Sequence, residues 1–420
     1  MIFRLPLDAS SNDLWQILTG HRAIFAYAVI LLIALIALML LFIIRYAKDA
    51  EAKEKERKLT AEKRRFSRLC ELDDGAGKEG AEQFEECDNL SQLCERFRDF
   101  AASRMGLYYD IGVIRAFVSS LAVGRLIIMQ GISGTGKTSL AYAFGKFIGN
   151  DTAIMPVQPS WKDKTDMIGY YNEFTGNFTE TELLYVLYRA NMSGGVYIIV
   201  LDEMNIARVE YYFAEFLSVL ELPDLSARKI EIVSDVRANA PKLFDDGKLT
   251  VPDNVWFVGT ANNDDSTLSI SDKVYDRSSV IELQSRARPF AAKNAEPLRV
   301  SADGLKELFS SAALAFPVSE DLKNKIERID ACMSKRLQIT FGNRIMRQTL
   351  GFIPVYRACG GSEYEALDLI LCKKVLRKLE SLNPVYVAAE AEGMIGDIRS
   401  VFGDGAMPAC TAYLRKYVKI

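Results

Sequence analysis

Twenty-one consecutive residues, Ile24 to Ile44, carry no charge, and Leu, Ile, Ala, Val and Phe dominate them. At 1.5 Å per residue such a run spans roughly the ~30 Å hydrocarbon core of a bilayer. Lipid offers no partners for free backbone groups, so a spanning segment there must be a helix. We place the span at residues 23–45, after a short extramembrane segment at 1–22. Asp8 and Asp13 upstream, and the length of the run, set it apart from a cleaved signal peptide. Arg4 and Arg22 precede the run, whereas Arg45, Lys48, Lys53, Lys55, Arg57, Lys58, Lys63, Arg64 and Arg65 follow it closely. That asymmetry puts the large C-terminal part in the cytoplasm, on a single-pass protein. A soluble protein with a buried helix at 24–44 is the alternative, and it would extract without detergent.

Composition narrows the chemistry. His21 is the only histidine, which removes histidine-based metal sites and Ser/His or Cys/His catalysis apart from that one residue. Seven cysteines form no CxxC pair and read as free thiols in a reducing compartment. A net charge of −3 argues against a body wrapped in nucleic acid, although a local basic surface is compatible with it.

Residues 46–80 form a charged helical spacer and linker. Glu/Lys pairs three or four apart support a solvated helix to about residue 70, part of whose charge can touch anionic lipid heads. Leu59, Phe66, Leu69 and Leu72 are too sparse for a coiled coil, and the glycines in Asp73–Gly80 mark a turn. Phe84 to about Met105 then reads as a helix with Leu90, Leu93, Phe97 and Phe100 on one face. A βα rhythm follows: strands at 125–130, 196–201 and 255–259, helices at 139–148, 180–191 and 211–221. Apolar strands that need cover on both faces predict an α/β sandwich over residues 81–290. A linker at 291–317 and a mainly helical domain at 318–420 complete the chain, with short strands expected near Val385 and Tyr413.

The sharpest local signal is Gly131-Ile-Ser-Gly134-Thr-Gly136-Lys137-Thr138, set after a strand and before a helix. This is a Walker A sequence in its required context. Its glycines let backbone N–H groups face phosphates, and the helix N-terminus adds a favourable dipole. Lys137 would reach the β- and γ-phosphates, and the Thr138 hydroxyl would sit on Mg²⁺.

Ile198-Ile-Val-Leu-Asp202-Glu203 delivers two carboxylates to the C-terminal end of a strand, the edge where open α/β sheets bind ligands. Asp202 is the candidate Mg²⁺ ligand, and Glu203 the candidate group polarising the attacking water. A third strand ends at Asn262, suited to the lytic water or γ-phosphate, or else simply capping a turn. Arg277, in Asp276-Arg277, offers a charge that could stabilise the transition state, from its own chain or from a neighbour.

This succession resembles the AAA+ nucleoside triphosphatases, and within them most closely the McrB-type motor subunits of modification-dependent restriction systems. The likeness rests on GISGTGKT at 131–138, LDEMNIARVEYYFAEFLSVLE at 201–221 and VPDNVWFVGTANNDDS at 251–266. WKDKTDMIGYY at 161–171 and FTGNFTETELL at 174–184 add to it, and the coverage is roughly residues 105–360. The resemblance implies a P-loop three-layer α/β sandwich with a C-terminal helical lid, here preceded by one transmembrane helix. It implies nucleotide contacts from Gly131, Gly134, Gly136, Lys137, Thr138 and Ser139, with Thr138 and Asp202 at the metal. By the same likeness Glu203 is the Walker B catalytic acid, Asn262 sensor 1, Arg277 a trans-acting arginine finger, and Arg344 or its rival Arg347 a sensor 2 arginine. A helix and a hairpin are expected within 206–250, and the 170–178 loop would face a central pore.

The implied activity is Mg²⁺-dependent hydrolysis of ATP, preferred over GTP, coupled to remodelling of a protein or nucleic-acid partner at the inner membrane, in a setting such as prokaryotic defence. A homo-oligomeric ring, usually hexameric, and an activating or effector protein come with the family. Two departures stand out: Asn262 leads into Asn-Asp-Asp-Ser rather than Asp-Arg-Ser, and only Arg277 remains where arginines usually cluster. They leave room for a nucleotide-gated membrane scaffold that recruits an effector with little turnover.

Overall fold

The structure, a computed structural model, describes residues 29–51, 65–75, 82–150, 152–172, 174–234, 240–262 and 267–418. The chain divides into two units, Met1–Arg65 and Phe66–Ile420.

In the first unit the described element is helix α1, Val29–Glu51, whose side chains are all exposed. Its 23 residues make it about 35 Å long and, with its apolar composition, long enough to cross a membrane. Residues 24–28 of the proposed span lie outside the described residues.

The second unit is built on five parallel strands: β1 (Leu126–Gly131), β2 (Ala153–Pro156), β3 (Tyr197–Asp202), β4 (Val255–Asn262) and β5 (Ser279–Leu283). Their order across the sheet is β2-β3-β4-β1-β5. The near-continuous apolar strands follow from burial on both faces. In β1, Leu126 and Ile128 enter one core while Ile127 and Met129 enter the other. Tyr197, Ile199 and Leu201 of β3 alternate with Ile198 and Val200 in the same way, as do Val255 and Phe257 with Trp256 and Val258 in β4. The second face is covered by α3 (Leu90–Met105), α4 (Ile111–Val123) and α5 (Lys137–Phe147). The first is covered by α6 (Glu182–Ala190) and the short helices Val209–Tyr212 and Ala214–Val219. This is an α/β sandwich with a helical C-terminal region.

Two hairpins lie outside the sheet, Gly169–Asn172 with Asn177–Glu180, and Lys229–Glu231 with Lys248–Thr250. Then come α7 (Ala302–Ala315), α8 (Glu320–Leu337), α9 (Gly342–Ala358), α10 (Glu363–Ile370), α11 (Pro384–Phe402) and α12 (Pro408–Val418). From α8 onward the helices share a core of their own, centred on Ile326, Ile329, Met333, Leu371 and Met394.

Four sequence expectations are corrected. Residues 291–317 hold α7, whose Leu305, Phe309 and Ala312 pack into the sandwich core. Val385 and Tyr413 lie in helices: Asn383 caps Pro384 at the start of α11, outweighing the β-branched and aromatic residues that suggested strands. The expected helix at 211–221 is broken at Phe213, whose ring stacks on Phe216 and meets Phe257 edge-on.

Lastly, the segment at 66–75 is not a solvated spacer. Helix α2 (Ser67–Gly75) docks on the sandwich, with Phe66 and Leu69 fully buried. Phe66 stacks on Phe178 at 4.7 Å between centroids. Glu180 accepts the backbone N–H groups of Arg68 and Leu69, both at 2.9 Å, so a hairpin carboxylate caps the helix. At the other end Asp73 accepts the Tyr188 hydroxyl at 2.7 Å and the Lys242 N–H at 2.8 Å. Phe66→Ala should therefore destabilise the second unit by about 3–5 kcal/mol. Urea unfolding of the detergent-solubilised chain checks this, and an unchanged midpoint would mean that the docking does not hold in solution.

Candidate nucleotide-binding site

β1 ends at Gly131 and α5 begins at Lys137, so the five residues between strand and helix must turn sharply. Gly131 has φ +145°, and a Cβ there would lie 2.1 Å from the Leu283 carbonyl oxygen of β5. No side chain fits, because the neighbouring strand's backbone fills the space. Gly134 (φ +79°) and Gly136 (φ +91°) continue the turn in the left-handed region, and the Tyr109 hydroxyl donates to the Gly136 carbonyl at 3.1 Å. Burial raises the Tyr109 phenol, keeping it a protonated donor. Lys137 is buried, and its ammonium donates to the carbonyls of Gly131 (3.0 Å) and Ile132 (2.9 Å). Thr138 and Ser139 occupy the first turn of α5, where its positive dipole end is strongest.

Parallel register brings the other groups to this edge. Gly131 pairs with Asn262, and Leu201 with Gly259, so Asp202 sits beside Thr260. Asp202 Oδ1 accepts two hydroxyls, Thr138 Oγ1 at 2.6 Å and Thr260 Oγ1 at 2.8 Å. Thr260 Oγ1 in turn accepts the Glu203 backbone N–H at 2.9 Å. Glu203 adopts φ +53°, ψ +45°, a left-handed conformation that costs a non-glycine residue energy. The structure supplies a reason: Met204 must turn back under β4, where a Cβ on Gly259 would sit 1.9 Å from its sulfur. The Tyr212 hydroxyl fixes that turn by donating to the Met204 carbonyl at 2.8 Å. Asn262 donates to Glu203 Oε1 at 3.4 Å, and buried Asn205 holds the Asn262 carbonyl at 3.0 Å.

Gly131, Gly134, Gly136, Lys137, Thr138, Ser139, Asp202, Glu203 and Asn262 therefore share one edge of the sheet. Sequence reasoning passed over Tyr109, Asn205 and Thr260; only Thr260, a hydroxyl at a buried strand end, carried a readable signal. Thr138 and Asp202 present hard oxygen donors at one point. Among the described residues no group of three His, Cys, Asp or Glu side chains could hold a metal ion. The ion that fits is one completing its shell with water and phosphate oxygens, as Mg²⁺ does.

Arg277 and Arg344 lie elsewhere. Ser279, the first residue of β5, pairs with Ile127, roughly 13 Å along β1 from Gly131, so Arg277, two residues before it, is at the opposite end of β1. Helix α9 lies along α4, with Gly351 against Val123 and Tyr356 against Gly112. Its first turn, carrying Arg344, is therefore also at the start of β1. Arg344, a nucleotide contact by the family likeness, thus lies away from the glycine turn of its own chain. Both arginines instead bind Glu221, and Arg347 lines the same cavity.

The C-terminal helices also hold the backbone around Arg277. Lys374, which follows α10, donates to the carbonyls of Ser278 (2.6 Å) and Asp276 (3.3 Å) and pairs with Gln348.

No family model matches the sequence, and no curated protein does. Among solved structures, one described as a candidate ATPase from Cytophaga hutchinsonii is 14% identical, with a TM-score of 0.47, covering 83% of this chain and 98% of its own. A full-length MCM homologue from Methanopyrus kandleri is 11% identical, with a TM-score of 0.39, over 67% of this chain and 59% of its own.

Two outcomes follow from the geometry. Gly131→Ala must displace β5 backbone and should lower the melting temperature measurably, whereas Gly134→Ala, with open space around it, should do so far less. Burial pushes the Lys374 ammonium down from 10.5 to about 7. The unfolded chain then keeps a proton that the folded chain releases, so this residue makes stability climb as pH rises from about 7 toward 10.5. Lys374→Met should flatten that climb; melting curves of wild type and variant that stay parallel across the interval would contradict the assignment.

Proposed function

We propose that the chain is a membrane-anchored, Mg²⁺-dependent nucleoside triphosphatase of the AAA+ type, nearest the McrB-type motors, that couples hydrolysis to remodelling of a protein or nucleic-acid partner. The observation that carries this reading is the Asp202 carboxylate: one oxygen joins Thr138 at the start of α5 to Thr260 near the end of β4. Three separate chain segments thus converge beside a glycine turn suited to phosphate.

In this reading the backbone N–H groups from Gly131 to Ser139 cradle the phosphates, and Lys137 leaves its carbonyl partners for the β- and γ-phosphate oxygens. Thr138 and Asp202 would hold Mg²⁺, which supplies charge neutralisation at those oxygens. Glu203 accepts a proton from the attacking water, and Asn262, in contact with Glu203, orients that water. ATP is the preferred nucleotide, with GTP the rival. α1 anchors the chain in the inner membrane with the sandwich on the cytoplasmic side. A homo-oligomeric ring, hexameric by family habit, and a separate activating or effector protein complete the proposal.

Glu203→Gln in the detergent-solubilised full chain should lower kcat by about 10²–10⁴-fold while nucleotide affinity changes little. Lys137→Ala should weaken binding itself. Equal, negligible turnover in wild type and Glu203→Gln, alongside tight nucleotide binding, would favour the scaffold that recruits an effector without hydrolysis.

A further inference from the structure

Two polar side chains stand where the sheet otherwise places apolar ones. In β3, Ile198 and Val200 point into the core under α3, α4 and α5, and Asp202 is the next residue on that face. In β4, Trp256 and Val258 do the same, and Thr260 is the next. Parallel register sets the two rows side by side, with Val200 opposite Val258 and Leu201 opposite Gly259. Thr260 is 2% exposed, and its strand is paired on both sides, so its β-branched side chain has a fixed place. Valine has the same shape and suits a strand equally well, so the fold does not call for a hydroxyl there. That hydroxyl is spent entirely on the acidic pair. Its one proton goes to Asp202 Oδ1 at 2.8 Å, and its oxygen accepts the Glu203 N–H at 2.9 Å. Thr138 loads the same Oδ1 at 2.6 Å, and among the described residues no hydrogen bond reaches Oδ2.

We propose that Thr260 is a positioning residue whose one hydroxyl sets Asp202 for a divalent cation and Glu203 for the attacking water, so that metal affinity and turnover depend on the same group. This rests on the nucleotide hydrolysis proposed above. The first arm is charge-assisted: two hydroxyl donors on Oδ1 hold the Asp202 carboxylate against rotation and leave Oδ2 for the ion or its water shell. The second arm runs through the backbone. Glu203 has φ +53°, a conformation that a non-glycine residue keeps only where its surroundings fix it. The Thr260 oxygen supplies part of that fixing by holding the Glu203 N–H, which sets the direction from which its side chain leaves.

Thr260→Val in the detergent-solubilised full chain keeps the shape and removes both bonds. In the nucleotide-free protein, amide hydrogen exchange of the peptide carrying Glu203, read by mass spectrometry, should speed up about 10-fold. The Mg²⁺ concentration that half-saturates nucleotide binding should rise about 10-fold, and kcat at saturating Mg²⁺ should fall about 10–100-fold with KM changed less than about 2-fold. Thr260→Ser keeps the hydroxyl and should restore most of each loss. Added to Glu203→Gln, Thr260→Val should cost kcat less than about 2-fold, because the second arm then has no carboxylate to place. The rise in Mg²⁺ requirement should persist in that double variant, because the first arm is untouched. A threonine that only supports the fold would lower kcat by the same factor in both backgrounds and leave the Mg²⁺ requirement and the Glu203 exchange unchanged; that result overturns the proposal. Should Thr260→Val lack a wild-type melting transition, Thr260→Ala takes its place with the same expectations. A wild type that turns over no nucleotide refutes the hydrolysis reading instead, and amide exchange with Mg²⁺-dependent binding then still decides the role of Thr260.

Discussion

Asp202 Oδ1 accepts hydroxyls from Thr138 and Thr260, and the rest of the candidate site hangs on that oxygen. Thr138 is the second residue of α5, so the contact sets how the helix sits over the sheet edge. Thr260 belongs to β4 and passes the restraint on by accepting the Glu203 N–H. A carboxylate receiving two hydroxyl donors forms charge-assisted bonds, stronger than neutral ones, and the oxygen serves as a joint between three elements. The left-handed backbone at Glu203 persists because both sides of that residue are held: Asp202 by hydroxyls, and Met204 by Gly259 and Tyr212.

Much of this was legible in the sequence because the sheet imposes simple rules. Apolar runs buried on both faces announce β1, β3 and β4, and a polar residue at the end of each announces the edge where ligands gather. The spacing of Gly131, Gly134 and Gly136 before Lys137 announces the turn. Long-range partners leave no such trace. Glu221 ends an ordinary helical pattern, and nothing near it in sequence says that arginines 56 and 123 positions away will find it. Helix α4 went unread because Ile111–Val123 is largely apolar, with Arg115, Ser119 and Ser120 its polar side chains, and so reads as a plain apolar run. Helix α2 was misread as solvated because its charges outnumber Phe66 and Leu69, the two side chains that decide where it lies.

Arg344 shows what a motif leaves open. The resemblance supplied a role, contact with a nucleotide from the helical lid, and the motif around Phe341-Gly-Asn-Arg344 supplied the position. Neither contains the direction of α9 relative to α4. That direction is set by close packing at Gly351 against Val123 and by Tyr356 at Gly112. Orientation, rather than residue identity, decides where that guanidinium lies.

The sheet also makes that orientation consequential. β1 is held by ladders on both sides, β4 through six paired positions and β5 through five. A strand so fixed cannot bend its ends together, and the separation between Gly131 at one end and the Glu221 cluster at the other is a constant of the fold. A glycine turn with a lysine occupies one edge, and the guanidiniums gathered on Glu221 occupy the other.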